Sequence, residues 1–189
     1  MADNQQWLDA GLAILEKQGA KALTIERLAE QIGLSKGSFY HHFGGMPGYK
    51  TALLAHFEAT YTTQYIDAVE RDLTADAITK LRALIDLVCE EGEDQSIEVG
   101  LRAWALQDPE VYRAQERIDR LRGDHVRGLW LEFSGDEAQA DLIGRLLQVL
   151  LIGAEQVLPP VPQGELRRLY EFVLGLAYDE GAADTGTTG

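Results

Sequence analysis

Between Gly33 and Phe43 the chain reads GLSKGSFYHHF, which gathers Lys36, Ser38, Tyr40, His41 and His42 into one short stretch. Residues of these types could hold a metal, run a hydrolytic serine–histidine pair, or meet a nucleic acid. Neighbouring side chains on a helix diverge by about 100°, so His41 and His42 cannot both aim at one ion. No cysteine or carboxylate three or four residues away completes a ligand set. A hydrolytic pair needs an orienting carboxylate and a strained nucleophile turn, and neither has a signal here. Two readings remain at this point: a surface that reads a polyanion, or a structural helical hairpin whose polar groups are merely solvated.

The flanking residues say how such a surface would be positioned. Trp7, Leu8, Leu12 and Leu15 form an apolar stripe that ends at Gly19, a helix C-cap. Thr24 then caps TIERLAEQIG, with Ile25, Leu28, Ala29 and Ile32 on one face and Gly33 closing it. The three residues GLS before Lys36 match the turn of a helix-turn-helix. Phe39 and Phe43 stand four apart and face one core, so Ser38, Tyr40, His41 and His42 are left outward or sideways. Lys36 and the helix start offer positive potential and free N–H groups to a phosphate. The short polar side chains, and Gly37 with none, would let the helix sit deep in a major groove.

The rest of the chain also reads as helices. Pro47 opens one that runs past Tyr61 and Tyr65 toward Arg71. Thr74 caps a second, with Ile78, Leu81, Ile85 and Val88 as its stripe. Another covers roughly 96–106. Asp108 and Pro109 start one through Trp130. Ser134 with Glu137 reads as a capping box before an apolar helix to Leu158. PPVPQG breaks the chain, and Leu166, Leu169, Val173 and Leu176 mark a last amphipathic helix. No segment alternates as a strand. The expected fold class is therefore all-α, with about nine helices and a three-helix head.

Composition and charge narrow the function. The 189 residues are 46% hydrophobic, enough to bury a core. No apolar run reaches the roughly 20 residues of a membrane span, the N-terminus is polar, and Cys89 is the single cysteine. These point to a cytoplasmic chain without a disulfide or a membrane partner. Net charge is −14. Residues 1–50 hold five basic and five acidic groups, so 51–189 carry the whole imbalance, 12 against 26. A neutral head on an acidic body can approach DNA head first. No nucleophile–base pair, metal set or phosphate loop suggests an enzyme, and no cofactor is called for.

Residues 7–43, centred on AILEKQGAKALTIERLAEQIGLSKGSFYHHF, resemble the DNA-binding head of TetR-type transcriptional regulators. The likeness lies in the glycine ending the first helix, the LT before the second, and the spacing of Leu28, Ala29, Gly33, Ser35, Gly37, Ser38, Tyr40, His42 and Phe43. It implies a helix-turn-helix DNA-binding domain at 1–50 and a helical ligand-binding and dimerisation domain at 51–180; the tail at 181–189 has nothing to bury and is expected to be disordered. It further implies that Thr24 and Arg27 touch or flank phosphates. Ser35, Lys36, Gly37, Ser38, Tyr40, His41 and His42 would lie at the groove, with Tyr40 and His42 mainly on phosphates and Lys36, Ser38 and His41 nearer base edges.

One departure stands out. The family usually sets a lysine three residues after the final phenylalanine and a leucine three beyond it. FGGMPGYKTALL puts Lys50 seven residues after Phe43, as though one helical turn were added, and Lys50 stays a candidate phosphate contact.

The resemblance also implies a pocket among the middle helices whose small-molecule inducer releases the DNA. Candidate lining residues are Phe57, Tyr61, Tyr65, Cys89, Trp104 and Tyr112, with Arg102 beside Trp104 suited to an aromatic acid or an acyl group. The wide apolar arc from Leu142 to Ile152 and the helix LRRLYEFVLGLAY are candidates for a homodimer seam. The function implied is a ligand-responsive dimeric regulator, a repressor on a palindromic double-stranded DNA operator. The alternative is a non-catalytic helical scaffold for protein contacts.

Overall fold

The computed structural model describes residues 4–90 and 96–184, and every regular element among them is helical. In chain order these are α1 (Asn4–Gln18), a 3-10 turn (Ala20–Ala22), α2 (Ile25–Ile32), α3 (Lys36–Phe43), α4 (Met46–Glu58), a π-helical turn (Ala59–Thr63), α5 (Gln64–Glu70), α6 (Ala77–Glu90), α7 (Ser96–Ala105), α8 (Pro109–Ser134), α9 (Glu137–Gln156) and α10 (Gln163–Asp184). If α4, the π turn and α5 are taken as one interrupted helix, nine helices lie among the described residues, as the periodicity predicts.

Several boundaries follow the sequence signals and others do not. Asp108 accepts the backbone N–H groups of Glu110 (2.9 Å) and Val111 (3.4 Å), and Pro109 opens α8 as expected. Thr74, however, does not cap α6. Its N–H and hydroxyl both donate to Asp72, and it is Asp76 that accepts from Thr79 N–H at 2.8 Å. Nor is Ser134 the cap of α9: Asp136 accepts from Gln139 N–H at 3.0 Å, while Ser134 ends α8. In both places a serine or threonine stands two residues before an aspartate that caps more strongly, because its carboxylate also meets the positive end of the helix. The helix opened by Pro47 is not regular to Arg71, since it widens into the π turn at 59–63. α10 runs to Asp184, four residues into the stretch expected to be disordered; 185–189 lie outside the described residues.

Packing divides the chain into two compact units. The first holds residues 1–64 and 94–118, the second 65–93 and 119–189. In the first unit the head shares one core with α4, α7 and the opening turns of α8. Trp7, Leu28, Phe39, Leu53, Phe57, Leu101 and Ile118 are all buried in it. Polar contacts brace α4 from two sides. His56 meets Asp9 of α1 at 2.9 Å, and Arg117 of α8 grips Glu58 through two nitrogens at 3.1 and 2.6 Å. In the second unit α6, α8, α9 and α10 enclose Leu81, Ile85, Trp130, Ile143, Leu147, Leu166 and Leu174.

Candidate nucleic-acid interface

The head owes its shape to three caps at two consecutive chain reversals. Thr24 Oγ1 accepts from Arg27 N–H at 3.3 Å and starts α2. Gly33 ends it in the left-handed region (φ 69°), where a Cβ would be strained. Leu34 N–H then returns to the Ala29 carbonyl at 3.0 Å, and Ser35 Oγ accepts from Ser38 N–H at 3.2 Å to begin α3. The turn between the two helices is thus closed by backbone and hydroxyl groups, with the Glu26–Lys36 ion pair across it.

The rotation of α3 about its own axis is set by aromatic packing. Phe39 is fully buried, edge-on to Trp7 of α1 with ring centroids 5.3 Å apart. Tyr49 of α4 lies 5.1 Å from Phe39 and 5.0 Å from Phe43. Its hydroxyl donates to the Trp7 carbonyl at 2.8 Å, and burial pushes that phenol well above its ordinary pKa. This contact is possible because residue 11 is glycine: a Cβ there would stand 1.8 Å from the Tyr49 oxygen.

With Phe39 inside, the other face of α3 is open. Tyr40 is 54% exposed, His41 is exposed, and His42 and Ser38 are half-buried. Ser35, Lys36 and Gly37 are exposed at the start of the helix. Thr24 is half-buried at the start of α2, and Arg27 is exposed and donates to the Gln18 carboxamide. Nine of the ten candidate contacts therefore lie on α2, α3 and the caps that start them. The tenth, Lys50, is elsewhere: on α4, it meets Asp108 at 2.8 Å and Glu110 at 2.7 Å, and these carboxylates hold its ammonium above the ordinary lysine range. Thr51 adds a 3.0 Å bond to the same Glu110.

Only Gly44 and Gly45 separate α3 from α4. Met46, three past Phe43, packs against the core, and Tyr49, six past, is buried.

The pocket candidates are dispersed. Phe57 and Tyr61 stack at 5.0 Å, and with Trp104 they belong to the core of the first unit. Arg102 is in that unit too, but its guanidinium meets the buried carboxylate of Glu98 at 2.8 Å, so the positive charge expected beside Trp104 is already balanced. Tyr112 is 56% exposed on α8. Tyr65 and Cys89 lie in the second unit, where burial raises the Cys89 thiol pKa against the opposing pull of Arg167.

Two residues that the sequence did not single out belong in this description. Tyr49 orients α3, and its apolar ring reads in sequence as ordinary core. Glu26, on the exposed edge of α2, bonds to Lys36 of α3, which holds its carboxyl below the usual range. An acid in a first helical turn has an ordinary explanation in the helix dipole, which hid this role. Among the described residues no group of three or more His, Cys, Asp or Glu is placed to hold a metal.

Two capped helices joined by a three-residue turn, the second buried by one face and open by the other, make a helix-turn-helix. Residues 8–57 match the family described as bacterial regulatory proteins, tetR family, so the chain carries the N-terminal domain of that family. The HTH-type transcriptional regulator BetI of Proteus mirabilis is 25% identical over 122 residues, which cover 61% of this chain and 60% of the relative. The nucleoid occlusion factor SlmA of Haemophilus ducreyi is 33% identical over 87 residues, 46% of this chain and 42% of the relative. The chain thus spans less than two thirds of the length of either. A TetR transcriptional regulator from Legionella pneumophila shares the fold with a TM-score of 0.74 at 13% identity, over 92% of this chain and 98% of that one.

Proposed function

We propose that this chain is a dimeric, ligand-responsive transcriptional regulator that binds a palindromic DNA operator as a repressor and leaves it when a small molecule binds the helical body. It acts without catalysis, in the cytoplasm. The observation that carries the reading is the division of α3: Phe39 is fully buried, while Lys36, Tyr40 and His41 on the other side are exposed. A helix with two exposed turns of short polar groups has the dimensions to enter a major groove. Thr24, Arg27, Tyr40 and His42 would face phosphates, and Lys36, Ser38 and His41 would face base edges. Lys50, neutralised by two carboxylates, is better placed as a brace of α4 than as a phosphate contact.

Dimerisation is supported by apolar stripes that the chain leaves uncovered. Leu142, Leu146 and Val149 on α9, and Leu169, Phe172 and Leu176 on α10, are each more than a third exposed. Each set recurs at helical spacing on the side away from the buried residues of its helix, as a seam between two copies would require. For the inducer, the stacked Phe57–Tyr61 pair, with Trp104 in the same core, favours a planar or acyl apolar ligand, and the balanced Arg102 weakens the case for a carboxylate. The test is selection of bound sequences from random duplex DNA with the purified chain. A recovered palindrome supports the proposal; no enrichment at low salt refutes it. For the ligand, loss of inducer-dependent melting shifts in Trp104→Ala is expected.

A further inference from the structure

Glu26 presents an exposed carboxylate on the same edge of the head as the groove-facing residues, where a surface meant only for phosphates would avoid one. It is the second residue of α2, Lys36 is the first of α3, and the two side chains bond across the turn. Both are more than half exposed. An ammonium and a carboxylate held side by side form a donor beside an acceptor. In the major groove a guanine–cytosine pair shows the complementary order: guanine O6 and N7 accept, and the cytosine N4 amino group donates. A phosphate offers no donor to a carboxylate, and although an adenine–thymine edge also sets an acceptor beside a donor, lysine on guanine O6 and N7 and an acid on cytosine N4 are the pairings these two side chains favour. The geometry points to Glu26 and Lys36 as a specificity-determining dyad that reads one guanine–cytosine pair in each half-site, with Lys36 on guanine and Glu26 on cytosine. This rests on the DNA-binding reading above and adds a residue to it.

The electrostatics fit this role. Lys36 keeps Glu26 ionised well below neutral pH, so the acceptor is present under working conditions. The carboxylate also repels phosphate, which lowers affinity for unrelated DNA and widens the ratio that specificity depends on. Arg27, the next residue of α2, donates instead to Gln18 and does not compete for Glu26.

The experiment begins from the duplex recovered by selection with the unmodified chain and replaces single bases by analogues. N4-methylcytosine still pairs but puts a methyl group where Glu26 would accept. 7-Deazaguanine removes the N7 that Lys36 would contact. At one symmetric position the unmodified chain is expected to lose about tenfold in affinity per half-site with either analogue. Glu26→Ala is expected to lose its response to N4-methylcytosine there while keeping its response to 7-deazaguanine, and Lys36→Met the reverse. Both positions are exposed, and unchanged melting temperatures verify that the variants fold. If Glu26→Ala binds every sequence more tightly and its response to each analogue is unaltered, the carboxylate is only a charge brake and the dyad is refuted. Failure of the unmodified chain to select any duplex would instead overturn the DNA-binding reading, and the dyad with it.

Discussion

At residue 11 the absence of a single methyl group decides how the head is built. The Tyr49 hydroxyl occupies the space a Cβ would take, and from there it ties α4 to α1 behind the recognition helix. Gly11→Ala should therefore destabilise the protein by about 2 kcal/mol through overpacking. Adding Tyr49→Phe should recover part of that loss, so a denaturant melt of the double variant should show clear non-additivity. At Lys50 two carboxylates and partial burial make a brace worth on the order of 1 kcal/mol once water access is allowed for. Lys50→Met is expected to lower the melting temperature by a few degrees and leave the salt dependence of DNA binding unchanged. Arg27→Ala should do the opposite, reducing the slope of log K against log salt by about one per head. A fall in slope for Lys50→Met, measured by titration at several salt concentrations, would restore Lys50 to the phosphate contacts.

Among the elements, the helix starts show what local chemistry can and cannot say. Thr24 and Asp108 cap as expected because each is the one good acceptor at its position. At α6 and α9 two candidates compete, and the aspartate nearer the helix wins. Thr24→Ala and Ser35→Ala should each cost about 1 kcal/mol. The Ser35 variant should also weaken DNA binding beyond its effect on the melt, since that cap fixes the first turn of α3. In the second unit α5, α6 and α8 converge on a half-buried charge cluster. Glu70 bonds Lys80 at 2.6 Å, while His125 Nε2 stands 3.8 Å from the other Glu70 oxygen, too far for a hydrogen bond. Burial, reinforced by Lys80, lowers the His125 pKa from 6.5, and Glu70 opposes this only in part. The unfolded chain therefore binds the proton more tightly than the folded one. Stability is fully present above about pH 6.5 and falls as the pH drops through the lower folded value. His125→Gln should flatten that acid limb in melts recorded between neutral pH and pH 5.

For the molecule as a whole, the uncovered stripes on α9 and α10 carry the largest consequence. Leu146→Glu with Phe172→Glu should convert a dimer into a monomer by sedimentation at micromolar concentration, and operator affinity should fall by at least about a hundredfold as the paired half-sites are lost. The same pair of changes on an already monomeric chain would alter neither the mass nor the melt, which would remove the dimer from the proposal.

Helical periodicity, the caps at Thr24 and Gly33 and the inward pair of Phe39 and Phe43 are local properties, and so the all-α fold and the open face of α3 were legible in residue order alone. The partners of Lys36 and Lys50 were not. Each meets an acid that lies nearby only after the helices pack, and for Lys50 that acid is 58 residues away. Charge balance at a point in space depends on tertiary neighbours, whereas the sequence reports only which charges are available.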